Sequence, residues 1–279
     1  MREEVAVGVD VGGTKIEGVL VNKRGEVLKQ HRVASNVDEG PNEVLKRIAR
    51  LANKLTTRKD APVGVSFPGY IHEGVLHNAP NMGGLAGKPL PQLLYKHVRR
   101  PVTLENDANC FAVAEQRIGA GKGFKNVIGL IVGTGLGAGL VLDGELYKGP
   151  HSGAGELNLI RYGDDDIESY AAGPGILRRF YENGGDHDDA ARIFQDTSAA
   201  AKQTVDDTVE ALAWLCHTLW ATLDPERIVV GGGVSNAPII KRINDKLEKK
   251  GVETCKVVRH KVSDSAGGVG AALLAFERA

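Results

Sequence analysis

Val5-Ala6-Val7-Gly8-Val9-Asp10-Val11-Gly12-Gly13-Thr14-Lys15-Ile16-Glu17-Gly18-Val19-Leu20-Val21 decides how this chain of 279 residues is read. The run to Val11 predicts a buried strand, Gly12 to Lys15 turn it, and the alternation from Ile16 to Val21 predicts a returning strand. The result is a hairpin tipped with glycine, not a strand entering a helix, and the GxxxxGK[ST] spacing of a Walker A loop is absent. A Gly-Gly-Thr turn bares backbone N–H groups and a hydroxyl that can hold phosphate oxygens. Asp10, just ahead of it, could hold Mg²⁺ through water. An ordinary hairpin turn with a solvated Lys15 accounts for the same residues.

A second copy of the pattern weighs against that plainer reading. Asn126-Val127-Ile128-Gly129-Leu130-Ile131-Val132 predicts a buried strand, Gly133-Thr134-Gly135 a turn, and Leu136-Gly137-Ala138-Gly139-Leu140-Val141-Leu142 a second strand. The likeness predicts an internal duplication in which each half offers one hairpin for gripping phosphate.

Between the hairpins, Pro101-Val102-Thr103-Leu104 feeds the polar junction Glu105-Asn106-Asp107, and a helical apolar pattern begins at Phe111. Asp107 at such a junction can be a simple N-cap. Opposite two phosphate-gripping turns, the same carboxylate can be a general base. Glu156 and Glu168, framed by small residues, suit the recognition of a polyol, because carboxylate oxygens accept bonds from neighbouring hydroxyls. Solvated loop acids are the alternative for both. Asn81, in Asn78-Ala79-Pro80-Asn81, is either an Asx-turn residue or an amide for hydroxyls. Asp164-Asp165-Asp166 reads as a solvated turn rather than a metal cluster, since no histidine lies near.

Elsewhere, Val44, Leu45, Ile48, Leu51 and Leu55 predict an amphipathic helix over 41–55. Residues 63–71 read as a strand broken by Pro68-Gly69, and 186–223 as helical. Trp214 and Trp220 are assigned to the core or a subunit contact. Gly231-Gly232-Gly233-Val234-Ser235 is expected to open a further helix whose backbone could lie against a nucleoside. A helix of small residues closes the chain from about 264 onward.

Composition narrows the function classes. Lys plus Arg equals Asp plus Glu, at 35 each, so the cationic footprint that nucleic-acid binding needs is missing. Cys110, Cys216 and Cys255 are odd in number and widely spaced, which predicts neither a disulfide framework nor a zinc site. No apolar segment approaches the ~18 residues of a membrane helix, and Arg2-Glu3-Glu4 does not look like a signal peptide. A cytoplasmic protein of about two domains is expected.

Asp10-Val11-Gly12-Gly13-Thr14-Lys15, Leu104-Glu105-Asn106-Asp107, Gly133-Thr134-Gly135-Leu136-Gly137, Ala154-Gly155-Glu156, Asp224-Pro225-Glu226, Gly231-Gly232-Gly233 and Ala266-Gly267-Gly268-Val269-Gly270-Ala271-Ala272 together resemble the ROK family of sugar kinases and repressors. The resemblance runs in order from residue 5 to the end. It implies an α/β, actin-like (ribonuclease H-like) duplicated fold, with two lobes and a central active-site cleft. The implied lobes are a small one over 1–107, with helix 265–279 packing back on it, and a large one over 108–264.

The resemblance further implies an ATP- and Mg²⁺-dependent kinase that phosphorylates the 6-hydroxyl of glucose or of several hexoses, with Asp107 as general base. Gly69, Asn81, Asn106, Asp107, Glu156 and Glu168 match sugar-contacting positions. Asp10, Gly12, Gly13, Thr14, Lys15, Gly133, Thr134, Gly135, Gly231, Gly232 and Gly233 match the nucleotide side. A homodimer is implied as well. Two departures stand out. Leu159 replaces the histidine that binds zinc and sugar in the family, and the cysteine-rich zinc motif is missing, so no zinc and an altered sugar preference are expected. Repressors of the family carry a helix-turn-helix before the first strand; four residues precede it here, which favours the kinase branch. The rivals are an N-acetylhexosamine kinase or fructokinase of the same family, a non-catalytic sugar-binding protein, and an actin-like ATPase scaffold.

Overall fold

In the computed structural model, which describes residues 3–77, 79, 82 and 84–278, both glycine-tipped hairpins form as the sequence predicts. Val5–Val11 pairs antiparallel with Lys15–Asn22, and Val127–Val132 with Leu136–Leu142. Each hairpin seeds a five-stranded sheet of the same plan. The first runs Val27–Ala34, Lys15–Asn22, Val5–Val11, Val63–Phe67, Val102–Asn106. The second runs Glu145–Tyr147, Leu136–Leu142, Val127–Val132, Arg227–Gly231, Lys256–Arg259. In both, the first three strands are antiparallel neighbours and the last two join in parallel. The duplication read from the glycine pattern is therefore a duplication of whole sheets.

The chain divides into two compact units. One comprises Met1–Lys122, Lys148–Ala154 and Val262–Ala279; the other comprises Gly123–Tyr147 and Gly155–Lys261. Helix Asp107–Ile118 groups with the first unit, whereas the sequence reading divides the chain at 107. The physical reason is its partner: it lies on helix Ala266–Arg278, where Gly270 has no side chain to hold off the Cys110 carbonyl.

In the first unit, alternation along Val5–Val11 sends Val5, Val7, Val9 and Val11 into one core with Val44, Leu45, Ile48, Leu51 and Leu55 of helix Pro41–Leu55. Each such aliphatic side chain contributes about 1.5–3 kcal/mol on burial. That helix begins with Pro41 in its first turn, where a missing N–H costs nothing. The opposite face of the strand presents Gly8 to helix Ala266–Arg278.

Four local expectations change. Asn106, not Asp107, is the N-cap, its Oδ1 accepting from Asn109 N–H at 3.1 Å. The helical stretch 186–223 is two helices, Ala190–Ile193 and Ala199–Leu223. Between them Asp196 accepts from Ser198 N–H (2.8 Å) and Ser198 caps the second helix through Ala201 N–H (3.1 Å), so side chains take backbone donors that a continuous helix would use. Gly231 to Ser235 does not open a helix: Ser235 N–H and Oγ–H both donate to Gly232 O (3.1 and 2.7 Å), and helix Ala237–Lys249 starts after the Asn236 cap. Asp165–Asp166 pairs with Arg161–Tyr162 in a short hairpin, and Asp166 caps helix Ile167–Ala171.

All three cysteines are buried and unbridged, and burial raises each thiol, Cys255 to about 11. Trp214 packs its ring against Tyr162, and Trp220 donates to Thr254 Oγ1 at 3.2 Å. Among the described residues no helix is long and apolar enough to cross a membrane.

Candidate functional site

In the first unit, the turn after Val11 is closed by Gly12 N–H donating to Lys15 O at 2.9 Å. Ser35 holds its outer side, donating from N–H to Thr14 O (3.0 Å) and from Oγ–H to Gly13 O (2.5 Å). The carbonyls are thus occupied from behind while Gly13, Thr14 and Lys15 stay exposed. A turn fixed in this way presents N–H groups and a hydroxyl to an anion with little ordering left to do.

Asp10 sits one pleat below this turn. Ser66, opposite it in the parallel pairing with Val63–Phe67, donates Oγ–H to Asp10 Oδ1 at 2.7 Å. Burial raises the Asp10 carboxyl above its ordinary range; Ser66 opposes this, Glu17 adds to it, and Lys15 offsets it. A desolvated carboxylate beside a turn of bare N–H groups gains from a cation, and one carboxylate is a sufficient protein ligand for Mg²⁺, which keeps most of its waters. The residues therefore fit the expected ion. Among the described residues no group of three or more His, Cys, Asp or Glu gathers as a metal cluster.

Asp107 stands at the first helical position after strand Val102–Asn106, half-buried, its Oδ1 accepting from Ala108 N–H at 2.9 Å. The junction beneath it is built from its neighbours. Asn106 spends its oxygen on the cap and donates Nδ2–H to Gly69 O at 2.9 Å. Gly69 itself lies at φ 100°, which explains a glycine after Pro68. Glu105 is buried: its Oε1 accepts from Asn106 N–H and Asn109 Nδ2–H (both 3.1 Å), and its Oε2 pairs with Lys148 (3.1 Å) and Arg278 (3.3 Å). Sequence reasoning gave Glu105 no role, although its place next to the capped junction was the available signal. Asn81 lies outside the described residues.

In the second unit, the turn Gly133-Thr134-Gly135 is closed by Gly133 N–H donating to Gly135 O at 2.9 Å. Gly133 and Thr134 line a cavity of about 430 Å³ together with Gly233 and Val234. Its far wall is apolar: Pro174, Ile176 and Leu177 from helix Gly173–Glu182, then Ala190, Ala191 and Phe194. A space with N–H-bearing turns at one side and an apolar wall at the other suits a phosphate chain joined to a flat heterocycle. Of the three consecutive glycines, only Gly233 lines it; Gly231 ends a strand and Gly232, at φ 83°, makes the bend. Ala190, Ala191 and Phe194 escaped sequence reading because helix Ala190–Ile193 is too short for a period to register.

Glu156 heads the 3₁₀ turn Leu157–Leu159 without capping it, and Leu159 is 72% exposed. Burial and then the nearby charge of Glu168 raise the Glu156 carboxyl above its usual range. Glu168, in helix Ile167–Ala171, accepts Leu136 N–H on Oε2 at 2.7 Å. The two carboxylates are thus neighbours, one tied to the glycine turn.

Two units of one sheet plan, each opened by a glycine-tipped hairpin, define the actin-like class of α/β proteins. Within that class the chain belongs to the ROK family, whose profile matches residues 6–278. It is 29% identical over 308 residues to a glucokinase of Thermotoga maritima, covering 98% of this chain and 97% of that one. To an N-acetyl-D-glucosamine kinase of Vibrio atlanticus it is 33% identical over 300 residues, covering 96% and 98%. Among solved structures, the ROK hexokinase of Thermus thermophilus superposes with a TM-score of 0.88 at 28% identity, covering 98% of both chains. A ROK glucokinase of Streptomyces griseus in complex with glucose and AMPPNP gives a TM-score of 0.81 at 26% identity, covering 98% and 99%.

Proposed function

We propose that this protein is an ATP-dependent sugar kinase that phosphorylates the 6-hydroxyl of a hexose, with glucose as the first candidate. The observation that carries the reading is the cavity walled by Gly133, Thr134 and Gly233 on one side and by Pro174, Ile176 and Phe194 on the other. It has the two-sided character an adenine nucleotide requires, and relatives across the whole chain are named as sugar kinases.

In this reading the exposed turns at Gly13–Thr14 and Thr134–Gly135 hold the phosphate chain. Phosphoryl transfer passes through a loose transition state, so positioning and charge compensation supply most of the catalysis. Mg²⁺, held through water by Asp10, would neutralise charge on the phosphates. Asp107 accepts the proton of the sugar hydroxyl as its oxygen attacks in line. Glu156 and Glu168 orient the ring through its other hydroxyls, to which Asn106 adds its second amide N–H, the first being held by Gly69 O.

The test is ADP release in a coupled assay across glucose, mannose, fructose and N-acetylated hexosamines. Sugar-dependent release is expected, with glucose favoured. ADP release indifferent to every sugar, or sugar binding without release, would sink the proposal in favour of an ATPase scaffold or a sugar sensor. An N-acetylhexosamine substrate is the second reading. It is compatible with the N-acetyl-D-glucosamine kinase relative at 33% identity.

Glu156→Gln gives a separate check. A neutral amide accepts a hydroxyl less strongly than a carboxylate, so KM for sugar should rise about tenfold, with KM for ATP little changed. The raised Glu156 carboxyl also predicts a pH effect. As pH falls, Glu156 takes up a proton before an ordinary carboxylate does, so KM for sugar in the parent begins to rise above the usual carboxylate range. The Gln variant should lack that early rise. If the parent and variant profiles run parallel, Glu156 does not meet the sugar.

A further inference from the structure

We propose that Glu168 is a positioning residue for the nucleotide side of the reaction: its carboxylate braces the second glycine turn, so the grip on a phosphate chain depends on the Glu168–Leu136 hydrogen bond. This rests on the kinase reading above and assigns Glu168 a task beyond touching sugar.

The segment 166–173 supports the turn at both ends. Glu168 Oε2 accepts Leu136 N–H at 2.7 Å on the outgoing side, and Gly173 N–H donates to Gly133 O at 2.8 Å on the incoming side. The carboxylate lies so close that a Cβ on Gly135 would meet Oε2 at 2.9 Å. Leu136 is buried, so without this acceptor its N–H loses a charge-assisted bond that water cannot easily replace.

Glu168 is itself held. Asp166 caps its helix by accepting Ser169 N–H at 2.7 Å, and the buried Arg179 guanidinium lies over the Tyr170 ring at 5.0 Å. Thr134 and Glu168 also line one small cavity of about 230 Å³, together with Arg178. Since the charge of Glu168 acts on Glu156 as well, one side chain links the polyol-recognising pair to the phosphate turn.

Two conservative variants separate bond from charge. Glu168→Gln keeps an oxygen at the same reach but loses the charge. Glu168→Asp keeps the charge but is one methylene too short to reach Leu136 N–H. ADP affinity without sugar, measured by calorimetric titration, should follow the bond. The Gln variant should stay within about threefold of the parent and the Asp variant should weaken about tenfold. Glu156→Gln should leave ADP affinity unchanged.

An Asp variant that binds ADP like the parent, or a Gln variant as weak as the Asp one, overturns the proposal. Equal loss of melting temperature in both variants with ADP affinity intact would make Glu168 merely structural and overturns it too. A parent chain that binds no ADP overturns the kinase reading together with this one, and does so before any variant is made.

Discussion

Asp107→Asn is expected to lower kcat for sugar phosphorylation by about 10²–10⁴-fold, the range that general-base catalysis contributes, while leaving the fold and both KM values near those of the parent. The local geometry makes the comparison clean. Asn keeps an oxygen for Ala108 N–H, now met at 2.9 Å. The helix retains its cap, because Asn106 rather than Asp107 accepts Asn109 N–H. Glu105 still fastens the strand end through Lys148 and Arg278. What disappears is the ability to take a proton. Steady-state kinetics beside a melting curve check this: a fall in kcat of less than about tenfold, with melting unchanged, would mean that another group removes the hydroxyl proton. A fall accompanied by early melting would mean that the junction needed the charge.

At Asp107 the reach of the amino-acid sequence is plain. The residue's place at a strand-to-helix junction was legible from the change of apolar period around Glu105 to Phe111. Which of two adjacent residues caps the helix was not, because Asn and Asp are equally good caps. The choice falls where strand pairing stops, and Asn106 is still paired with Phe67. The two hairpins were legible for a similar local reason, since alternating apolar runs broken by glycine are self-contained signals, whereas the outer strands Val27–Ala34, Glu145–Tyr147 and Lys256–Arg259 were not read. The apolar wall of the cavity beside Gly133 and Thr134 was not legible. Ala190, Ala191 and Phe194 come from a four-residue helix and its end, too short for any period to register. The bond from Glu168 to Leu136 joins residues 32 apart by a side chain, and no spacing rule foretells such a contact.

Gly64→Ala should be among the most damaging single methyls in the first unit. Gly64 looks like a weak point of a Val-rich strand, since glycine in a strand interior costs backbone entropy. Its value lies on the other face. A Cβ at 64 would stand 1.8 Å from Ala271 O and 2.3 Å from Ala271 C, both backbone atoms of helix Ala266–Arg278. No rotamer change relieves such a clash; the helix must lift or the strand must bow. The strand cannot bow cheaply, because it pairs in parallel on both sides, with Val5–Val11 and with Val102–Asn106. Overpacking of this kind typically costs about 1–3 kcal/mol and sometimes more, and the upper end is expected here. At about 2–4 °C per kcal/mol, Tm should fall by roughly 6–12 °C. Lifting the helix would also disturb Asp10, whose Oδ1 lies 2.7 Å from the Cβ position of Gly267 at the helix start. KM for ATP should therefore rise at temperatures where the variant is still folded. Gly153→Ala is the control: Gly153 has no neighbour within 4 Å of a Cβ, so that variant should melt with the parent. If Gly64→Ala melts there as well, the helix does not rest on this strand, and the link drawn from Gly64 through the helix to Asp10 is lost with it.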